Sequence, residues 1–112
     1  MSPLEARAHE TWEWMEKALE DLECARVLRQ TGHGGNALFH CQQSAEKSLK
    51  SFLVWHERPF RKTRDLKEVG QVCLLIDPSL ADSLRHAYLL TEYAWKIAIP
   101  RGTLHPSRRR AK

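Results

Sequence analysis

No stretch of this 112-residue chain approaches the ~20 consecutive apolar residues a helix needs to span a bilayer. The opening residues carry Glu5 and Glu10 and no apolar run, so a secretory leader is not expected and the chain reads as soluble and cytoplasmic. Cysteine is scarce: Cys24, Cys41 and Cys73 are odd in number, form no Cys-x-x-Cys and fall in helical patterns. Reduced thiols in an intracellular core outweigh a disulfide framework, a redox pair or a metal site. No segment reads as a strand and no repeat is visible. A phosphate-cradling loop is missing too, because the glycines from Gly32 to Gly35 have neither a following Lys-Ser/Thr nor a preceding strand.

What is present is one domain's worth of helix. A chain of this size buries roughly 65% of its unfolded surface, and 42% hydrophobic residues with four Trp supply a core. The net charge of +4 is unevenly spread. Residues 1–57 hold six basic and nine acidic side chains, and residues 68–99 two basic and four acidic. Residues 58–67 hold five basic and one acidic, and residues 100–112 five basic and none acidic. The helical body is therefore mildly acidic and the basicity sits in a loop and a tail. Merely solvated basic ends outweigh a flexible electrostatic contact with an acidic partner.

Ser2-Pro3-Leu4-Glu5 opens a first helix, with Ser2 as cap, Pro3 in the first turn and Glu5 at the positive end. It runs to about Arg29, with Met15, Ala18, Leu22, Ala25 and Leu28 as its expected inward stripe, widened by Trp14 and Leu19. The glycine-rich Thr31–Gly35 stretch stops it, and the short connection predicts an antiparallel return. The second helix spans about Asn36 to His56, with Asn36 as the expected cap. Pro59 ends it; a short third helix starts at Thr63 or Asp65 and runs through Leu75, weakened by Gly70. After Asp77-Pro78-Ser79 a fourth helix runs from about Leu80 to Ile97, on a stripe of Leu80, Leu84, Ala87, Tyr88, Thr91 and Trp95. The expected fold is all-α: an up-down antiparallel bundle of about four helices over residues 1–100, followed by a disordered basic tail over 101–112.

The second helix is the one that needs explaining. Leu38, Cys41, Ala45, Leu49 and Phe52 recur at spacings of three and four, an ordinary core stripe. Beside it runs a polar row of Gln42, Gln43, Glu46 and Lys50. One reading has this row, with Asp21 opposite on the first helix, lining a cleft where amides meet a base edge and Lys50 meets phosphate. The favoured alternative is a buried polar network fixing helix register, with Lys50 paired to Asp21 or Glu46. A zinc site from His33, His40 and Cys41 is disfavoured, since adjacent helical residues point about 100° apart and no fourth ligand is evident. No metal and no cofactor is expected.

Trp14-Met15-x-x-Ala18-x-x-Asp21-Leu22-x-x-Ala25, then Gln42-Gln43-Ser44-Ala45-Glu46-Lys47-x-Leu49-Lys50, then Leu90-x-x-Tyr93 and a Pro-containing exit, resembles the HEPN domain over roughly residues 10–100. That resemblance implies an all-α bundle, a homodimer with a cleft between protomers, and frequent pairing with a minimal nucleotidyltransferase in toxin–antitoxin modules. It places Tyr93 with Asp21, Gln42, Gln43, Glu46 and Lys50 among the cleft candidates, facing a nucleotide or RNA. In ribonuclease members it also implies an Arg followed at short spacing by His, the His as acid/base and the Arg stabilising charge at the scissile phosphate. Where many relatives have Arg-Tyr-Pro, this chain has Ala98-Ile99-Pro100, and the nearest Arg/His pair, Arg101 and His105, is displaced past the proline. Arg26 and His33 have a suitable spacing but lie at the end of the first helix.

The favoured function is therefore a non-catalytic helical module that dimerises and binds a nucleotidyltransferase or a nucleotide. The alternative is a metal-independent endoribonuclease toxin using Arg101 and His105. Relatives also continue into a further helix after the Pro turn, so apolar surface on the first, second or fourth helix is expected to lack cover. Trp12, Trp55 and Trp95 are the candidates for it, with core placement favoured for each.

Overall fold

Four α-helices and one 3₁₀ turn make up the computed structural model, which describes residues 1–60 and 65–98, with side chains through Glu92. Among the described residues there is no strand. Helix α1 (Pro3–Gln30) begins with a reciprocal cap. The Glu5 amide donates to Ser2 Oγ at 3.1 Å and the Ser2 amide to Glu5 Oε1 at 2.8 Å, satisfying two donors that have no partner inside the helix. It ends in a Schellman motif: Gly32 takes φ +83°, the His33 amide reaches Leu28 O at 2.7 Å and the Gly32 amide reaches Arg29 O at 3.3 Å. Only a residue without Cβ adopts that φ at no steric cost.

Helix α2 (Gly34–Trp55) starts two residues before the expected Asn36, because His33 takes the cap position and the two glycines enter the first turn. No side chain caps it. At its far end a second Schellman motif forms with Glu57 in the left-handed position at φ 55°, the Arg58 amide reaching Leu53 O at 2.9 Å. Helix α3 (Leu66–Ile76) is capped by Asp65, whose Oδ1 accepts from the Lys67 amide at 3.1 Å. Asp77 then accepts from Ser79, turning the chain through the 3₁₀ segment Pro78–Leu80 into helix α4 (Ala81–Ala98). The up-down antiparallel bundle is as the sequence predicts.

Its packing is not symmetric. Helix α2 touches all three others, whereas among the described residues α1 packs on no helix but α2. The apolar core lies on the other side of α2, where Leu53, Val69 and Cys73 are fully buried and Leu49, Phe52, Phe60, Val72, Ile76 and Leu80 pack around them. Gly70 belongs to this layer. A Cβ there would lie 2.2 Å from Tyr88 Oη and 3.1 Å from Leu84 Cδ2, so the glycine that weakens α3 is what lets α3 and α4 meet.

The α1–α2 seam is built differently, from small and polar groups. Ala18, Ala25 and Ala37 let the helices approach closely, and two α2 hydroxyls donate to α1 carbonyls: Ser44 Oγ to Ala18 O at 2.8 Å and Ser51 Oγ to Thr11 O at 2.9 Å. One supporting helix covers only a narrow strip, so the expected inward stripe of α1 is corrected. Ala18, Asp21 and Ala25 are buried, Met15 is half-buried, and Leu22 and Leu19 stand exposed at 36% and 51%. Trp12 and Trp55, for which a core place was favoured, are exposed as well; the Trp95 side chain lies outside the described residues.

Candidate functional site

The polar row of α2 is inside the protein. Gln42, Gln43, Glu46 and Lys50 are each at most 8% exposed, whereas Leu38, Cys41, Ala45, Leu49 and Phe52 are only half-buried. Ionisable groups are rarely buried this far unless paired, and the pairing is on hand. Lys50 Nζ donates to Glu46 Oε2 at 2.9 Å, one helical turn away on the same face. The Lys50 ammonium also lies 5.4 Å from the Trp14 ring centre and 5.6 Å from that of Phe60, two rings packed edge to face at 6.0 Å. Those rings replace part of the water the cation gives up. Gln43 Nε2 donates to Gln42 Oε1 at 3.2 Å. Glu46 Oε1 is buried without a hydrogen-bond partner.

Asp21 sits in a separate cluster. Of the two partners the sequence offered Lys50, the structure uses Glu46 and not Asp21; the reason is register. The α2 face toward α1 is His40, Ser44, Lys47 and Ser51, at steps of four, three and four, about a quarter turn from the row that carries Lys50. Lys47 Nζ therefore reaches Asp21 Oδ2 at 2.5 Å and His40 Nδ1 reaches Asp21 Oδ1 at 2.8 Å. Burial pushes the Asp21 carboxyl up, but the hydrogen bonds from Lys47 and His40, reinforced by their charge, win and hold it below the usual carboxylate range. Neither Lys47 nor His40 was singled out as Asp21's partner; the sequence signal for them is that four-three-four run of polar residues. His40, weighed as a zinc ligand, is engaged with Asp21, and no cluster of three metal-ligating side chains is found among the described residues.

Elsewhere on the bundle, burial pushes the Cys73 thiol up to about 11, an unreactive core sulfur that donates to Leu49 O. Cys24 is exposed and Cys41 half-buried. Between α1 and α2, at the end where the connection lies, an open groove of about 620 Å³ is lined by Leu22, Ala25, Ala37, Leu38 and Cys41, with Arg26 and Arg29 on its rim. The side chain of Tyr93, and all of Arg101 and His105, lie outside the described residues.

The model of the HEPN domain matches this chain over residues 11–100, which takes in α2, α3, α4 and all of α1 beyond its first eight residues. The chain belongs to the HEPN domain family. A protein of Methanocaldococcus jannaschii named as a "putative toxin" is 39% identical to it over 49 residues, 44% of this chain and 32% of that protein. The chain thus matches about a third of that relative's length. No solved structure matches it. Within this HEPN domain Gln42, Gln43 and Glu46 of the Gln-Gln-Ser-Ala-Glu-Lys run are buried in the bundle, and Ser44, Ala45 and Lys47 are half-buried. No described helix is long and apolar enough to cross a membrane.

Proposed function

We propose that this HEPN protein works by assembly rather than by chemistry at the α2 row: it dimerises and binds a nucleotidyltransferase partner, a nucleotide, or both, within a toxin–antitoxin pair. The observation that carries this reading is the unpartnered flank of α1. Among the described residues that helix packs on no helix but α2, and it presents Leu4, Trp12, Leu19, Leu22 and Val27 to solvent beside an apolar groove. Several large apolar side chains exposed along one helix of a small domain mark a surface that a partner can cover. The interior charges give the complementary support, since they answer one another within the fold: Glu46 with Lys50 in the row, and Asp21 with Lys47 and His40 in the separate α1–α2 cluster.

Coexpression with a minimal nucleotidyltransferase tests this directly. The two chains are expected to copurify at fixed stoichiometry. A chain that remains monomeric, leaves that enzyme free and gives no heat with ATP in calorimetry overturns the reading. A second reading draws on the ribonuclease members of the family and on the relative named a toxin: an endoribonuclease toxin using Arg101 and His105. Cleavage of tRNA or mRNA by the purified chain, abolished in His105→Ala, would replace assembly with catalysis.

A further inference from the structure

The exposed apolar side chains Trp12, Leu19 and Leu22 of α1 fall on one line with the half-buried Met15. Trp12, Met15, Leu19 and Leu22 follow steps of three, four and three, and at 3.6 residues per turn they lie within about 80° of one another. Arg26 and Arg29 continue the same steps. This is the spacing of a helix–helix seam, in which alternate steps of three and four keep side chains on one line. On α2's side of that line Thr11, Ala18 and Ala25 are half-buried or buried; on the other side stand Glu16 and Glu23, both exposed. The line is thus a second contact face beside the one α2 already uses, and within the described chain no other helix reaches it.

We infer that its occupant is α1 of a second copy of this chain, running antiparallel, with the twofold axis between Leu19 and Leu22. This deepens the dimerisation proposed above and rests on it. A twofold interface must be self-complementary: whatever projects on one side of the axis must be received on the other. Trp12, 54% exposed, lies about 13 Å before that axis and Arg29 about 13 Å after it, at 1.5 Å per residue. Each Trp12 is therefore carried to the end of the partner's groove, which is about 620 Å³, apolar-walled and roomy enough for an indole. Leu19 meets Leu22 across the axis in both directions.

The charges match as well. Glu16 flanks the projecting indole, and Arg26 and Arg29 rim the groove that receives it. The guanidinium of Arg29 is set to lie over the partner's Trp12, the contact Arg7 makes with Trp55 within the chain at 4.7 Å. In a parallel arrangement Trp12 would face Trp12 and both grooves would stay empty, so the antiparallel one is the self-complementary choice.

Sedimentation equilibrium and disulfide trapping on the full chain test this. The wild type is expected at twice the 13.0 kDa chain mass. Leu19→Lys and Trp12→Glu, both on exposed helical positions, are expected to weaken dimerisation at least tenfold with unchanged helical circular dichroism. In a Cys24→Ser background, Leu19→Cys with Leu22→Cys is expected to trap a covalent dimer whose mapped linkages join position 19 of one copy to position 22 of the other. A wild type that is dimeric but indifferent to Leu19→Lys, and not trapped at these positions, overturns this interface while dimerisation stands. A wild type that is monomeric at all concentrations overturns both, and a monomer that binds the nucleotidyltransferase through Trp12 assigns the face to that partner instead.

Discussion

Lys50 and Glu46 show what the polar row costs and what it returns. A buried pair of this kind roughly breaks even against apolar replacements, but half of it is expensive because the remaining charge is stranded. Lys50→Met is expected to destabilise the fold by about 3 kcal/mol or more in urea denaturation, and adding Glu46→Leu should recover most of the loss. If the single and double variants lose equal amounts, the two charges are not coupled. Asp21 makes a pH-dependent contribution with a definite sign. Its folded carboxyl titrates below the unfolded value of about 3.9, so the stabilisation is complete above that pH and is lost as pH falls through the lower folded value. Urea midpoints measured between about pH 2 and pH 6 should fall in acid for the wild type and fall less for Asp21→Asn. At this scale the sequence showed that Gln42, Gln43, Glu46 and Lys50 form a row, but not which cation each acid holds. Partner choice turns on a quarter-turn of helix rotation, and that is set by how α1 docks.

The helices themselves were largely legible, because their ends are written in local chemistry: Ser2, Pro3 and Glu5 at one start, Asp65 at another, Gly32 at a stop. Two ends were not. Asn36 has the right chemistry for a cap, yet α2 begins at Gly34 once the Schellman turn has placed His33. The close of α2 uses Glu57 where a glycine would fit, at φ 55°. Glu57→Gly is expected to stabilise the protein by up to about 1 kcal/mol, since the left-handed position is strained for a residue with Cβ. The pair it gives up with the half-buried Arg7 offsets part of that gain, and only part because the Glu57 carboxylate is exposed. An unchanged thermal midpoint would show the strain to be absent. Gly70 sets propensity against packing. Alanine improves an α-helix by about 1 kcal/mol, but here its Cβ strikes the Tyr88 hydroxyl, and overpacking typically costs about 1–3 kcal/mol. Gly70→Ala is expected to destabilise, and to do so less in a Tyr88→Phe background, where the oxygen that is struck is gone. Equal losses in the two backgrounds would place the conflict elsewhere.

For the molecule as a whole, the asymmetry of α1 dominates. A helix held on one side through alanines and serines buries little apolar area, so covering its outer seam should add stability that depends on concentration. The urea midpoint is expected to rise with protein concentration for the wild type and to be independent of it for Leu19→Lys. No dependence in either would mean that the seam is uncovered in solution. Trp12, Leu19 and Leu22 could not have been assigned to this outer face from periodicity, because a helix with two apolar faces reads as one wide stripe.

By itself the sequence determined that the chain is helical, where most of its helices start and stop, and which family it resembles. All three are fixed by residues within a few positions of one another, or by a motif short enough to read. Only the tertiary structure decided that the polar row of α2 is interior, that Lys47 and His40 hold Asp21, and that α1 has a second face which no other described helix covers. Those depend on how far each helix is rotated about its own axis against its neighbour, and close packing of Ala18, Ala25, Ser44 and Ser51 across the α1–α2 seam sets that rotation.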